Sequence, residues 1–441
     1  MKRLLSLLLC AVLALFCATT AQAAGVSITL TASEYALHYA FDAGAQDPFV
    51  ILEYATPAEK GWMMLYSADG HFEGDVSLAY SGAGGKTSVT LTSARTTGSI
   101  GKASTTLPKA ADYQKPTGKS NAKVTDFVLT ETPEGFHYAF NAIGTDYMLL
   151  YWRSKEQTVT QPVYPDENGH YEGDVVSELT FARTQFTVQV KSGSGSMKKE
   201  ATVRKGYQAP EAPQRQEGRL SGVTVCIDAG HQENGRFVNE PIGPGLSGST
   251  SGKGGMAQGT KTNRRESIVC LEIGMLLRDE LLRQGANVIM TREDQTTFHT
   301  NIERCEIAEA GGAQIMLRLH CNNSSNHSKR GIQVYGPLNS DYAKAVADAD
   351  TYREMGQKLL DAMKTRVGMT LANSTGMVRL NDNYVGNNWA KMMCFLVEMG
   401  YLSNPAEEYL LVTPVYQQWL AEGMADGVYE IAVARGWVQA Q

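Results

Sequence analysis

Residues 223–231 read VTVCIDAGH, an apolar run that ends in a glycine and a histidine. Two later runs have the same form: IMLRLH closes on His320 and CFLVE closes on Glu398. Short apolar runs that end at turn residues are typical of strands buried in a parallel sheet. Ligands bind beyond the carboxyl ends of the strands in an open α/β sheet. We therefore expect the three polar side chains that close these runs to lie at one edge of a sheet.

The sequence around these runs alternates between strand and helix patterns. The predicted strands are 223–227, 288–291, 315–319 and 394–398, and the predicted helices are 267–284, 302–310, about 340–367 and about 407–435. Gly285 ends the first of these helices. Such alternation predicts an α/β domain with a mostly parallel sheet that is covered by helices on both faces.

A fourth candidate side chain, Glu266, opens the first predicted helix. Two imidazoles and two carboxylates that converge at a sheet edge match a catalytic zinc site, in which two His and one acid bind the metal and a free Glu handles protons. Each residue also has a simpler explanation, because a single His is more often structural and a Glu at a helix start is favoured by the helix dipole. The combination, with three strand ends involved, favours the metal site.

The N-terminal part contains an internal repeat. LHYAFDA at 37–43 matches FHYAFNA at 136–142, and HFEGDV at 71–76 matches HYEGDV at 170–175, each 99 residues further along the chain. Apolar residues alternate with polar or small ones, and turn signals separate the runs. The pattern predicts two immunoglobulin-like β-sandwich modules. We place them at 25–116 and 117–207, and a Pro-containing linker at 208–221 separates them from the α/β domain at 222–437.

The repeated Glu-Gly-Asp segments offer two carboxylates each, which are too few for a calcium cage. We interpret them as a turn shared by both copies. The first 24 residues have the form of a signal peptide: Lys2 and Arg3 precede an apolar run, and Ala21-Gln22-Ala23 fits a cleavage site. We expect an exported protein of the extracellular space or cell envelope, with no membrane anchor after cleavage.

Composition narrows the function classes. The formal net charge is −6, from 40 basic and 46 acidic side chains, so nucleic-acid binding has no support. Five cysteines remain after cleavage, and an odd number in an exported protein is compatible with a reactive thiol or with pairing between chains. We favour the simpler interpretation that they pack as small buried apolar residues. They are Cys226, Cys270, Cys305, Cys321 and Cys394. No CxxC pair is present, which argues against a thiolate zinc site.

Residues 222–437 resemble the zinc-dependent N-acetylmuramoyl-L-alanine amidases of bacterial cell-wall turnover. The matching motifs are IDAGH with His231, an E-x4-L pattern from Glu266, LHCN with His320, and LVEMGYLSNPAEE with Glu398. They cover about half of the chain and occur in the family's order, which makes the match specific. Arg318 departs from the family pattern, because a small residue usually stands two positions before the third ligand.

The resemblance implies a role for each matched residue. His231, Glu266 and His320 would bind one Zn²⁺ per chain, and Glu398 would be the catalytic acid/base. Asn322, in the LHxN pattern, would contact substrate. The implied substrate is peptidoglycan, cleaved at the amide between N-acetylmuramic acid and L-alanine.

Two other functions are compatible with the sequence. One is a zinc peptidase acting on stem peptides. The other is a non-catalytic surface protein that binds the cell wall, although the intact ligand positions argue against it. The β repeats are candidates for binding either the cell wall or a protein partner.

Overall fold

A computed structural model gives the fold of the protein. It describes residues 19–22, 25–57, 60–78, 81–96, 98–111, 122–132, 135–145, 148–153, 158–176, 184–192, 196–205, 210–233, 238–250, 255–367 and 377–440. Most of the predicted signal peptide lies outside these residues. Its described part, Thr19–Gln22, is a strand that pairs antiparallel with the strand at Ser27–Ser33.

The described part of the first compact unit, Met1–Thr117, contains antiparallel strands. Its described strands are β1 (Thr19–Gln22), β2 (Ser27–Ser33), β3 (Ala36–Asp42), β4 (Phe49–Ala55), β5 (Lys60–Tyr66), β6 (His71–Ser77), β7 (Gly85–Ser93) and β8 (Ser99–Leu107). They form two sheets, in the orders β1-β2-β3-β6 and β5-β4-β7-β8. Alternate side chains of β3, Leu37, Tyr39 and Phe41, face a common apolar core.

The second compact unit, Gly118–Gln441, begins with a further set of antiparallel strands. They are β9 (Lys123–Thr132), β10 (Gly135–Ile143), β11 (Met148–Arg153), β12 (Thr158–Val163), β13 (His170–Val176), β14 (Thr184–Ser192) and β15 (Met197–Lys205). The sheet orders are β13-β10-β9 and β12-β11-β14-β15. The order matches β6-β3-β2 and β5-β4-β7-β8 of the first unit. The prediction of a β-rich N-terminal region is confirmed, while the immunoglobulin-like assignment stays a prediction.

The Glu-Gly-Asp segments lie inside strands, so the prediction that they form a shared turn is wrong. Glu73 and Asp75 belong to β6, which pairs with β3 so that His38 lies opposite Asp75. The distance from His38 Nδ1 to Asp75 Oδ1 is 3.1 Å. In the second copy, His137 Nδ1 lies 3.0 Å from Asp174 Oδ1. These acids are exposed and form cross-strand pairs with histidines. The sequence pattern alone did not distinguish such a strand pairing from a turn.

The remainder of the second unit is an α/β domain. Its described strands are β16 (Thr224–Ala229), β17 (Glu240–Pro241), β18 (Ser249–Thr250), β19 (Asn287–Met290), β20 (Ile315–Asn322), β21 (Gln333–Gly336), β22 (Met377–Leu380) and β23 (Met393–Tyr401). Its described helices are α1 (Glu266–Arg283), α2 (Asn301–Ala310), α3 (Asp341–Val346), α4 (Ala349–Val367), α5 (Val385–Trp389), α6 (Glu407–Leu411) and α7 (Pro414–Ala434). The central sheet has the order β19-β16-β20-β23-β21-β22. Its neighbours pair in parallel, except that β21 and β23 are antiparallel.

Helices cover both faces of this sheet. Cys226 and Met316 belong to a core cluster that includes Cys305 of α2, and Trp389 of α5 packs against this cluster. The residues next to Cys226 and Met316 along their strands point to the opposite face of the sheet, because side chains alternate along a strand. On that face a Cβ added at Gly274 of α1 would lie 3.5 Å from Ile227, so α1 packs closely on β16.

Two predicted helices are each divided in the structure. The predicted helix at about 340–367 is α3 and α4, because the backbone is extended at Ala347 and the Asp348 carboxylate accepts from the Thr351 amide at 2.8 Å to begin a new helix. The predicted helix at about 407–435 is α6 and α7. Pro414, at the start of α7, has no amide hydrogen and suits the first turn of a helix rather than its interior.

The described part of the predicted linker is bound to the C-terminal end of α1. The Gln216 amide donates to Leu282 O at 3.0 Å, and the Leu220 amide donates to Gln284 O at 2.8 Å. Arg278 of α1 in turn donates to Pro210 O at 3.1 Å. Residues 210–221 therefore satisfy carbonyl groups that the end of α1 leaves without helical partners.

The five described cysteines are buried, as predicted, and each is free. None of the helices in the described part of the chain is both long enough and apolar enough to span a membrane.

Candidate metal centre

Three strands bring His231, His320 and Glu398 to the same edge of the central sheet. His320 near the end of β20 lies opposite Glu398 of β23 in the parallel register. His231 follows the end of β16, which is the other neighbour of β20. Glu266 is the first residue of α1 and is buried. The predicted elements therefore bring these four residues to one cleft, which has a volume of about 750 Å³.

The backbone after β16 is shaped to bring the two imidazoles together. His231 has φ of 57°, a left-handed conformation that costs a non-glycine residue about 1–2 kcal/mol. Gly230 donates to Leu319 O at 2.9 Å, and a Cβ at Gly230 would lie 2.6 Å from His320 Cε1. Only glycine permits this approach of β16 to β20. The ring centroids of the two histidines are 4.8 Å apart.

Both histidines contact one oxygen of Glu266. His231 Nε2 is 3.1 Å and His320 Nδ1 is 3.0 Å from Glu266 Oε1. The candidate ligand atoms of the three residues all lie within 4.8 Å of one another. This cluster of two nitrogens and one carboxylate oxygen could bind a metal ion.

The Glu266 carboxylate is held in place by backbone groups. Its Oε1 accepts from the Cys321 amide at 2.9 Å, and its Oε2 accepts from the Ala257 amide at 2.8 Å. Burial would raise the pKa of Glu266, but hydrogen bonds from His231 and His320 hold it well below the usual range. Glu266 is therefore an anion that faces two imidazoles. Burial lowers the pKa of His320, which favours the neutral ring that a metal ligand requires.

Glu398 differs from Glu266 in its surroundings. Its Oε2 atom is buried and has no hydrogen-bond partner among the described residues. Burial, with a smaller contribution from the charge of Glu266, raises the pKa of Glu398 to about 8. One cleft therefore contains an ionised carboxylate and a carboxyl group that keeps its proton near neutral pH. Environments that separate the pKa values of two acids in this way are typical of acid/base sites.

Asn322 also lines the cleft. Its Nδ2 donates to Gln333 Oε1 at 3.2 Å, and its Oδ1 accepts from the Asn323 amide at 2.9 Å. The side chain is thus oriented by its neighbours, and the predicted substrate contact stays a prediction.

A group of buried charges beside the cleft was not predicted from the sequence. Asp228 is fully buried in β16 and pairs with Arg304 and with Arg318, whose Nε lies 2.9 Å from Asp228 Oδ2. Arg318, the departure from the family pattern, contacts neither histidine in the hydrogen bonds described. The signal in the sequence was Asp228, an acid inside an apolar run. A buried charge requires a partner, so this position indicated an ion pair.

In the metal-free protein we expect Glu398 to make stability depend on pH. Its folded pKa of about 8 exceeds the ordinary value of 4.5 for a glutamate, so the folded state holds more protons between these pH values and the free energy of unfolding falls as pH rises. The size is on the order of a few kcal/mol. His320, with a lowered pKa, contributes the opposite slope at acidic pH.

Thermal unfolding in a chelator at pH 5 and pH 8 measures this effect. Glu398→Gln cannot titrate at this position, so its melting temperature should fall less than that of the wild type between the two pH values. The His320 contribution is common to both proteins. Equal losses in the two proteins would contradict the raised pKa.

Comparisons with known proteins match the part of the chain that contains the candidate metal centre. Residues 225–430 match the model of the family described as N-acetylmuramoyl-L-alanine amidase. The germination-specific N-acetylmuramoyl-L-alanine amidase of Bacillus subtilis (strain 168) is 26% identical over 231 residues, which cover 49% of this chain and 83% of the relative. The probable cell wall amidase LytH of Staphylococcus aureus is 27% identical over 218 residues, covering 48% of this chain and 60% of the relative.

A crystal structure of N-acetylmuramoyl-L-alanine amidase from Clostridium difficile 630 is also similar, with a TM-score of 0.38 and 24% sequence identity. The match covers 48% of this chain and 96% of that chain. Because of this family match, with which the two relatives agree, we identify residues 225–430 of this protein as a domain of the N-acetylmuramoyl-L-alanine amidase family.

Proposed function

We propose that the C-terminal domain hydrolyses the amide bond between N-acetylmuramic acid and L-alanine in peptidoglycan. His231, Glu266 and His320 hold a zinc ion in this proposal, and Glu398 is the general acid/base. The observation that carries it is the convergence of two imidazoles on one carboxylate oxygen, beside a second carboxyl group whose buried oxygen has no partner.

The donor set fits zinc better than a hard cation. Catalytic zinc sites use three protein ligands from His and acidic residues and leave one position open, whereas calcium and magnesium prefer sites built from oxygen. His231 and His320 supply the nitrogens, and Glu266 supplies the oxygen. A bound zinc ion would lower the pKa of a water molecule toward about 7 and polarise the scissile carbonyl.

Glu398 moves the proton in this reaction. Its Oε2 has no competing partner among the described side chains, so it is available to accept a proton from the attacking water. The same oxygen then returns the proton to the nitrogen of the leaving L-alanine. General acid/base assistance of this kind contributes about 10²–10⁴-fold to the rate. A zinc ion in the cluster would favour the ionised form of Glu398, which is the form that can act as a base.

The remaining parts of the proposal concern the whole chain. We propose a signal peptide at 1–24, immunoglobulin-like modules at 25–116 and 117–207, a linker at 208–221, a catalytic domain at 222–437 and a location in the extracellular space or cell envelope. The matching strand orders of the two β regions support the repeat. The two relatives, a germination-specific amidase and a probable cell wall amidase, support peptidoglycan as the substrate. The β modules bind the cell wall or a protein partner in this proposal.

Analysis of the digestion products tests the function. Purified full-length protein, loaded with zinc, should release new free L-alanine amino termini and peptide-free glycan from peptidoglycan, and a chelator should abolish this release. The Glu398→Gln protein is the control. New amino groups on a residue other than L-alanine would support the zinc peptidase instead. No product at all, from protein that holds zinc, would favour the non-catalytic wall-binding alternative.

A further inference from the structure

The His231 turn is the part of the candidate metal centre that regular secondary structure holds least. His320 and Glu398 lie in paired strands, and Glu266 is fixed by two amide donors. His231 lies beyond the end of β16 in a left-handed conformation. Its distance from Glu266, which is remote in sequence, must therefore be set by other contacts.

One guanidinium group links the His231 turn to the start of α1. Arg292 Nη2 donates to Gly230 O at 2.8 Å and to Ser267 O at 2.7 Å. Its Nε donates to Ala229 O at 2.7 Å. Gly230 precedes His231 and Ser267 follows Glu266, so the same group contacts the backbone beside two of the three candidate ligands. Arg292 is only 2% exposed, so these contacts are not shared with solvent.

A second guanidinium completes the support of the turn. Arg304 Nη1 donates to Ala229 O at 3.0 Å, and its Nη2 donates to His231 O at 3.2 Å. Arg304 also contacts the Gln232 side chain and is paired with the buried carboxylate of Asp228. Three successive carbonyl groups, from Ala229 to His231, thus accept hydrogen bonds from arginine. These bonds orient the peptide planes that determine where the His231 ring points.

We propose that Arg292 and Arg304 are positioning residues that fix the His231 imidazole relative to Glu266 and thereby set the affinity for zinc. The inference rests on the zinc centre of the proposed function. Arginine suits this role because its planar group presents several N–H donors in a rigid arrangement, whereas the ammonium of lysine is a point charge on a flexible chain. Loss of groups that orient metal ligands typically weakens metal affinity about 10–100-fold.

The test compares Arg292→Lys with Arg278→Lys in the full chain. Arg278 is a matched control, because it is also buried, at 3% exposure, and also donates to a backbone carbonyl, but it lies near the other end of α1. The zinc dissociation constant is measured by competition with a chromophoric chelator. Thermal unfolding and hydrogen exchange of peptides covering 228–233 are measured in the metal-free proteins.

We expect Arg292→Lys to weaken zinc binding about 10–100-fold and to accelerate exchange of the 228–233 peptides about tenfold in the absence of metal. Arg278→Lys should change the melting temperature but neither of these quantities. The inference is overturned if both variants weaken zinc binding equally, or if Arg292→Lys binds zinc and exchanges like the wild type. A wild-type protein that binds no zinc would refute the proposed function, and the metal-free exchange experiment would still decide whether Arg292 holds the turn.

Discussion

Replacing Glu398 with glutamine is expected to lower kcat by about 10²–10⁴-fold while the protein keeps its zinc. The amide has nearly the shape of the carboxylate but cannot accept a proton from water and return it to the leaving nitrogen. The buried Oε2 of Glu398, which has no described partner, is the atom whose function is removed. Turnover of a soluble muropeptide and zinc content by mass spectrometry are measured on the same preparation.

The controls separate lost chemistry from lost folding or binding. Glu309→Gln changes an exposed carboxylate of α2 that pairs with Lys391 and should leave turnover unchanged. Because Glu398 acts on the reacting atoms, kcat and kcat/KM should fall by similar factors. A Glu398→Gln protein with full turnover, or one that has lost its zinc, would remove Glu398 from the proposed role.

Replacing Glu266 with glutamine is expected to weaken zinc binding by more than about 100-fold, beyond the usual effect of losing a group that only orients a ligand. The oxygen that both imidazoles approach would then belong to a neutral amide. The carboxylate also accepts two backbone amide hydrogens, one of which an NH₂ group cannot accept. The zinc content is measured after dialysis, and the rate of amide hydrolysis is measured at micromolar zinc. Both should fall to the detection limit.

Glu272→Gln is the matched control for this variant. Glu272 lies on the same helix, is also buried, and accepts from Gln417 at 2.9 Å. It should destabilise the fold without loss of zinc, because it takes no part in the cluster. If Glu266→Gln bound zinc with wild-type affinity, Glu266 would not be a ligand of the ion.

Local sequence patterns were sufficient to predict the elements that carry the site. The runs that end at His320 and Glu398 lie within β20 and β23, and Glu266 is the first residue of α1. These positions follow from apolar periodicity and turn residues, which act over a few neighbours. The separation of α3 from α4 depended on the backbone at Ala347 and the cap at Asp348, and such local bonds are harder to recognise among many polar residues.

Contacts between distant segments of the chain could not be predicted from the sequence. Arg292 and Arg304 meet carbonyl groups more than sixty residues away in the chain, and nothing near either arginine indicates that partner. The short strands β21 and β22 have no long apolar run, and their places are decided by pairing with β23 and with each other. Which strands pair is determined only when the sheet assembles, so it cannot be predicted from either short segment alone.

The attachment of residues 210–221 to the end of α1 bears on how the protein can be divided. Gln284 O accepts from this segment, Leu282 O accepts both from it and from the Gly285 amide, and Arg278 donates to Pro210 O. Truncation just before β16 would remove Leu220, which is fully buried, together with the amide that donates to Gln284 O. A fragment meant to carry the α/β domain should therefore include the chain from Pro210 onward, so that these hydrogen bonds at the end of α1 are kept.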